Sequence, residues 1–328
     1  DLDLEVLSKV TPEQIQEMKA YLDSHEIKVV PYLGDRVFYI NVEVSGGGHT
    51  ASCEIMDYHT NVTRIQVDDK VLYQAQGSAG TAKKTDRSVL NVKEILAFAD
   101  TVDIADVEEV IRRQIAYNTA ISKAGLEEKW GAQVGKHLLE TYGDSLPVRA
   151  AAAAAAGSDA RMSGCELPVV IVSGSGNQGM TTSLPVIEYA KAMGVSEEKM
   201  IRALVAADLI TIHQKTSIGT LSAFCGAVSA GTGAACGIAY LKGASYEAIA
   251  QTITNALGTC SGMVCDGAKP SCAAKIAAAV QAGLLGYDMY VNGGDGFCDG
   301  EGIVKEDVEK TIASVGRMAR EGMRRTGE

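Results

Sequence analysis

The sequence predicts an α+β protein, with a small α/β module over residues 1–90 and a large, mainly helical domain over residues 91–328. Three observations carry that prediction. Period-two hydrophobic alternation is confined to the stretch between Arg36 and Gln74. From Asn91 onward the apolar spacing turns helical and no strand alternation returns. The 328 residues, 46% hydrophobic and 22% charged, suit one large globular domain or two ordinary ones.

The elements follow in chain order. Thr11-Pro12-Glu13-Gln14 reads as a capping box with Pro at the first helical position, opening a helix over IQEMKAYLD. In RVFYINVEV, Phe38, Ile40, Val42 and Val44 alternate with more polar neighbours, and TASCEI (50–55) alternates likewise, so both predict half-buried strands. VTRIQV and KVLYQ flank Asp68-Asp69 as a tight hairpin. Residues 77–88 are a loop by composition. VKEILAFADTV, the 103–141 stretch, the run Ala150–Ala156 and LPVIEYAKAMG then predict helices. In SYEAIAQTITNALG, Ser245 caps, Ile249, Ile253 and Leu257 share a face, and Gly258 is the expected stop. The alanine run lets a helix approach its neighbours, because Ala keeps helix propensity with the smallest side chain.

Composition excludes several classes of function. The formal charge is −11, with no basic block, which argues against a nucleic-acid partner. The opening DLDLEVLSKV has neither a basic n-region nor an apolar h-region, so a cytoplasmic location is expected. The longest uncharged stretch, between Lys215 and Lys242, is built from Gly, Ala, Ser, Thr and Cys, and predicts buried close-packed backbone instead of a membrane span. The 35 glycines and the 5% aromatic content point the same way, to tight backbone packing. A homodimer is the expected assembly.

Four constellations could carry chemistry. Ser173-Gly174-Ser175-Gly176-Asn177-Gln178-Gly179 leads into a helix, so its amides and side chains form a candidate anion site for a carboxylate or phosphate. It matches neither a Walker loop nor GxGxxG. Seven of the eight cysteines follow residue 160, and Cys225, Cys265 and Cys272 stand on short loops. Three thiolates suit a soft centre such as an iron–sulfur cluster, and buried structural thiols explain the spacing equally well. Cys53 and Cys165 read as small buried hydrophobes. His49 in GGGHTAS and His59 in DYHTN are candidate substrate contacts; His213 reads as structural, and His25 and His137, in polar helical contexts, are assigned no role. Asp and Gly alternate over residues 293–302 without the EF-hand order, which reads as a loop, and RMAREGMRR reads as a solvated helix face.

The strings SGSGNQGMTTSLPV, KTSIGTLSAFCGAVSAGTGAACG and GMVCDGAKPSCAAKIA, together with GGGHTAS, DYHTN and Asp159-Ala160-Arg161-Met162, resemble the L-cysteine desulfidase family, a relative of the α region of iron–sulfur L-serine dehydratases. The resemblance covers most of the chain. It implies β-elimination of L-cysteine to sulfide and an aminoacrylate that hydrolyses to pyruvate and ammonia. It also implies a [4Fe-4S] cluster with an open iron, held by Cys225, Cys265 and Cys272. The small-molecule amino acid would lie with its carboxylate on the loop at 173–179. The family's Gly-Cys-Thr-Glu-Pro string, whose Cys takes the α-proton, is absent from this sequence, so the catalytic base is unknown. A companion N-terminal segment is one expectation. A non-catalytic cysteine-binding relative, an iron–sulfur L-serine dehydratase and a pyridoxal-phosphate lyase with a Schiff base at Lys215 or Lys269 are the alternatives.

Overall fold

The computed structural model describes residues 10–328 apart from 35, 37, 58–60, 76–84, 220–221, 295, 299, 324–325 and 327–328. The chain divides into two compact units, Asp1–Asp86 and Arg87–Glu328. The architecture is α+β, with the sheet in the first unit and helices filling the second.

In the first unit, helix α1 (Pro12–Ser24) opens on the expected capping box: Thr11 Oγ1 accepts from Gln14 N–H, and Gln14 Oε1 accepts from Thr11 N–H. Four strands follow, β1 (Tyr39–Gly46), β2 (His49–Met56), β3 (Val62–Val67) and β4 (Lys70–Gln74). They form an antiparallel meander in the order β1-β2-β3-β4. Gly47 and Gly48, both at positive φ, close the first hairpin, where two consecutive left-handed residues match the twist of the strands. Asp68 takes φ +49° at the β3–β4 turn, a conformation that Asp tolerates better than most residues. Cys53, on β2, is half-buried, not the fully buried hydrophobe expected, because none of the strands of this sheet has a fully covered face.

The second unit holds helices α2 (Val92–Thr101), α3 (Ile104–Glu127), α4 (Val134–Tyr142), α5 (Leu146–Met162), α6 (Gly176–Met193), α7 (Glu197–Ile218), α8 (Gly226–Leu241), α9 (Tyr246–Cys260), α10 (Ser271–Val291) and α11 (Val308–Arg317). The stretch 103–141 is two helices, not one, since Gly131 and Gln133 adopt positive φ between α3 and α4. Helix α9 runs past Gly258 to Cys260, so that glycine is not a stop. A Cβ there would stand 2.9 Å from Phe297 Cδ2, and the glycine serves close packing. Beyond α11 the chain takes one π-helical turn, Met318–Gly322, with Ala319 buried, so RMAREGMRR is only in part a solvated face.

Helix α8 is the axis of this unit. It packs against α6, α7, α9 and α10, and Ala227 to Ala239 are all buried. Its Gly residues cost about 1 kcal/mol each in helix propensity relative to Ala. The close approach they permit offsets that cost. A Cβ on Gly231 would lie 2.6 Å from the Ala279 carbonyl of α10, and one on Gly283 would lie 2.7 Å from the Gly231 carbonyl. Most of the uncharged 215–242 stretch is therefore α8, a helix wrapped by helices, and no helix among the described residues is long and apolar enough to cross a membrane.

Polar ties cross between helices. His213 Nε2 and Glu309 Oε2 are 2.7 Å apart, and Glu309 Oε1 accepts from Val92 N–H, joining α2, α7 and α11. Gln114 of α3 donates to Asp208 of α7 at 3.1 Å. Burial pushes the Asp208 carboxyl up to about 7, against the lowering effect of Gln114.

Two predictions follow from this packing. Gly231→Ala forces α8 and α10 apart and lowers stability by about 1–3 kcal/mol in urea unfolding, whereas Gly262→Ala, which meets nothing within 4 Å, stays within about 0.5 kcal/mol of the parent. For Asp208 the folded state holds its proton to higher pH than the unfolded state, so stability falls as pH rises from about 4 to about 7. Asp208→Asn keeps an acceptor for Gln114 and removes that part of the slope; melting curves across this pH range measure the difference.

Candidate functional site

The loop expected to bind an anion is a tight turn feeding a helix. Val172 and Ser175 pair as an antiparallel bridge, Val172 N–H to Ser175 O at 3.2 Å and Ser175 N–H to Val172 O at 3.1 Å. Ser173 and Gly174 occupy the turn at φ +50° and +80°. Ser175 then caps α6, its Oγ accepting from Gln178 N–H at 3.4 Å, and Gly176 and Asn177 are the first helical residues. Free amides of a first helical turn, with the positive end of the helix dipole, favour an anion. The buried Ser173 Oγ has no hydrogen-bond partner among the described residues and is a further donor at the turn.

Arg161, at the end of α5, stands against this turn. Its Nη1 donates to Asn177 Oδ1 at 3.3 Å, and a Cβ on Gly176 would lie 2.7 Å from its Nε. Burial lowers the Arg161 pKa, and the Cys272 thiol opposes that shift. One guanidinium thus borders both the anion turn and one of the predicted cysteines.

The three cysteines come from two distant stretches that a backbone bridge brings together. Phe224 and Val264 pair antiparallel; Cys225 N–H donates to Met263 O at 3.0 Å and Cys265 N–H to Ala223 O at 2.6 Å. Lys275 Nζ donates to Val264 O at 2.9 Å, holding the loop to α10. Cys272, in the first turn of α10, folds back so that its Sγ lies 3.5 Å from Gly267 O. Burial raises the Cys225 thiol pKa; the Ala227 N–H lowers it, Cys265 and Cys272 raise it further, and Lys275 lowers it. Cys225 is buried, Cys272 half-buried and Cys265 exposed, so the group opens outward on one side.

Helix α6 meets this group at its first turn. The Gln178 amide lies 2.5 Å from where a Cβ on Gly226 would stand, and Gly226 follows Cys225 directly. Lys215, near the end of α7, is 8% exposed, and no carboxylate pairs with it among the described residues. Burial lowers its pKa, against the pull of Cys265 and Cys225. Lys269, the other Schiff-base alternative, is an exposed residue paired with Asp266 at 3.1 Å.

The structure therefore gathers Cys225, Cys265, Cys272, Asn177 and Gln178 around Arg161, Lys215 and Lys275. The sequence signalled the first five. Arg161 and Lys275 lie inside strings that carry the resemblance but had no role assigned from the sequence, and Lys215 was named only as a Schiff-base alternative. His49 lies in the first unit, its Nδ1 2.8 Å from Asp68 Oδ2, and Asp68 also accepts from Thr50 N–H. His59 lies outside the described residues. Cys165 is half-buried, while Cys236 is fully buried with its pKa raised by burial alone. Asp159 Oδ2 accepts from Gly135 N–H at the start of α4, and burial raises its carboxyl to about 6.

Donor chemistry tests whether a cluster suits these residues. Three thiols in one electrostatic neighbourhood, faced by Lys and Arg, match the soft anionic ligation of iron and sulfide. Among the described residues no group of three His, Cys, Asp or Glu is placed to hold a metal ion.

The exposure series gives a prediction for the cluster-free protein. With a small alkylating agent, Cys265 and Cys298 are modified first and Cys236 only on unfolding. Mass spectrometry of timed samples checks the order, and early labelling of Cys236 contradicts it.

Comparison with known proteins places these residues among relatives. Residues 1–328 match the family model described as serine dehydratase alpha chain. The UPF0597 protein DSY1109 of Desulfitobacterium hafniense (strain Y51) is 51% identical over 327 residues, 99% of this chain and 76% of that protein. A UPF0597 protein of Lachnoclostridium phytofermentans is 49% identical over 99% of this chain and 78% of its own length. A third, of Treponema denticola, is 45% identical over 100% of this chain and 78% of its own.

Proposed function

We propose that this chain, which belongs to the serine dehydratase alpha chain family, is a β-eliminating lyase that releases sulfide from L-cysteine on a [4Fe-4S] cluster held by Cys225, Cys265 and Cys272. The observation that supports the reading is the convergence of those three thiols beside an anion-binding helix start. Cys225 and Cys265 are forty positions apart in sequence, yet the segments 223–225 and 263–265 that carry them are joined by paired backbone hydrogen bonds.

When bound, the cluster supplies a Lewis-acidic iron that takes no fourth protein thiolate and favours a soft sulfur leaving group. The remaining work belongs to the side chains. The free amides of Gly176 and Asn177, with Ser173 Oγ and Ser175, receive the substrate carboxylate at the α6 N-terminus. Arg161 keeps Asn177 oriented through its hydrogen bond and adds positive charge on the same side. Lys215 and Lys275 offset the negative charge of three thiolates in a partly buried setting, where unpaired charge is costly. Fixing the carboxylate at one end and the sulfur at the other orients the α-proton, a proximity effect that contributes several kcal/mol, with ~7–11 as an upper range. Loss of the α-proton and departure of the β-substituent as hydrosulfide leave aminoacrylate, which hydrolyses to pyruvate and ammonia.

L-Serine in place of L-cysteine is the second reading, which the match to the serine dehydratase alpha chain family favours. A harder hydroxyl would then leave from the same position, so turnover of the two amino acids by one preparation decides between them.

Anaerobically reconstituted protein is expected to be brown and to bleach in air. Cys265→Ala loses the visible absorbance and drops sulfide release below about 1% of the parent, beyond the ten- to hundredfold that changes outside the ligand set produce. In the reconstituted parent, Cys225, Cys265 and Cys272 resist alkylation while Cys298 stays reactive. A coloured, active Cys265→Ala protein would remove this cysteine from the ligand set.

A further inference from the structure

Three buried side chains of α6, α7 and α8 each carry a polar atom with no partner among the described residues: Gln178 Oε1, Gln214 Oε1 and Ser229 Oγ. These residues are 7%, 2% and 0% exposed. Leaving one such atom unpaired in a protein interior costs about 1–3 kcal/mol, so three in one seam call for a ligand that completes them.

The orientation of the Gln214 amide follows from its neighbours. Gln214 Nε2 donates to Ile210 O at 3.2 Å and to Ser229 O at 3.4 Å. Turning that amide over would set oxygen against two carbonyl oxygens, so the amide oxygen is held away from them. The Ser229 carbonyl is engaged by Gln214 and Thr211, while its hydroxyl is left over. Gln178 packs on Gly226, one turn before Ser229 on α8. On the far side, Thr182 and Thr211 close the seam through hydroxyls 3.1 Å apart. The near side is the start of α8, where Cys225 stands, and Lys215 next to Gln214 feels both Cys225 and Cys265.

The chemistry of the seam selects its guest. Amide oxygens only accept hydrogen bonds, and a serine hydroxyl accepts as well as donates. A carboxylate or phosphate brings no donor and would face two carbonyl-type oxygens. An α-ammonium group brings three N–H donors on one tetrahedral centre. Resting on the reading of this site as one that binds an amino acid, we infer that Gln178, Gln214 and Ser229 form its ammonium subsite. With the carboxylate at the α6 turn and the ammonium in this seam, the side chain is the substituent left to meet the thiols. The three residues then set specificity, separating α-amino acids from thiols and hydroxy acids of similar size.

The test uses full-length, cluster-reconstituted protein under anaerobic conditions and isothermal calorimetry with L-alanine and propionate. The two differ at Cα by the ammonium group, and neither carries a β leaving group. The parent binds L-alanine at least about 100-fold more tightly than propionate, since a site built for donors rejects a ligand without them. Gln214→Met and, separately, Ser229→Ala each reduce that preference at least about tenfold, with propionate affinity and cluster absorbance unchanged. Ser229→Ala removes a single oxygen from a helix and keeps the test valid where Gln214→Met fails to fold. A preference unchanged in the variants overturns the inference, because the orphaned atoms then hold trapped water. Equal binding of both probes by the parent, or no binding of L-alanine, overturns it too. Sulfide release from L-cysteine by the same preparation shows that the functional reading survives such a result, and its absence shows that both fail.

Discussion

The pair of backbone hydrogen bonds between residues 223–225 and 263–265 is the constraint on which the rest depends. Each is an ordinary peptide interaction, with a net contribution of about 1 kcal/mol. Together they fix the start of α8 to the loop that follows α9. Without them nothing in the backbone would hold Cys225, at the start of α8, beside the exposed Cys265. With them, two thiols share a site with the first turn of α10, and the local charges respond to one another.

That bridge can form because the helices around it approach closely. Gly231 and Gly283 bring α8 and α10 to backbone contact distance, and Gly226 leaves room for the Gln178 amide at the mouth of α8. A side chain at any of these positions would separate elements that have to converge. The glycine content that looks permissive in composition is therefore restrictive in place. The same closeness explains why so few aromatic residues are needed: Ala and Gly surfaces interlock with little space left to fill.

Much of the fold was legible in the sequence, and for identifiable reasons. Period-two alternation named β1 and β2, and Asp68-Asp69 between VTRIQV and KVLYQ named the β3–β4 hairpin, because both signals are local; the apolar positions Ile40, Val42 and Val44 of β1 are nevertheless exposed, against the half-buried strand expected. Ser245 and Thr11 announced helix starts because caps are local chemistry. Gly258 misled, because a glycine needed for close approach to Phe297 and one needed for a left-handed turn look alike in one dimension. The break at Gln133 was missed because Gln seldom signals a positive φ. In the site, Asn177, Gln178 and the three cysteines stood out through residue type and clustering. Arg161, Gln214 and Ser229 did not. Their significance lies in what they lack or border, an unpaired oxygen or a neighbouring turn, and only the packed helices reveal that.

The central claim is that three thiolates hold one cluster and leave a corner for the substrate. Mössbauer spectroscopy of protein reconstituted with iron-57 and sulfide under anaerobic conditions tests it most directly. The account predicts iron signals divided three to one, with the minority component shifting when L-cysteine is added and the majority unchanged. Four equivalent irons, or a minority signal indifferent to the amino acid, would contradict it.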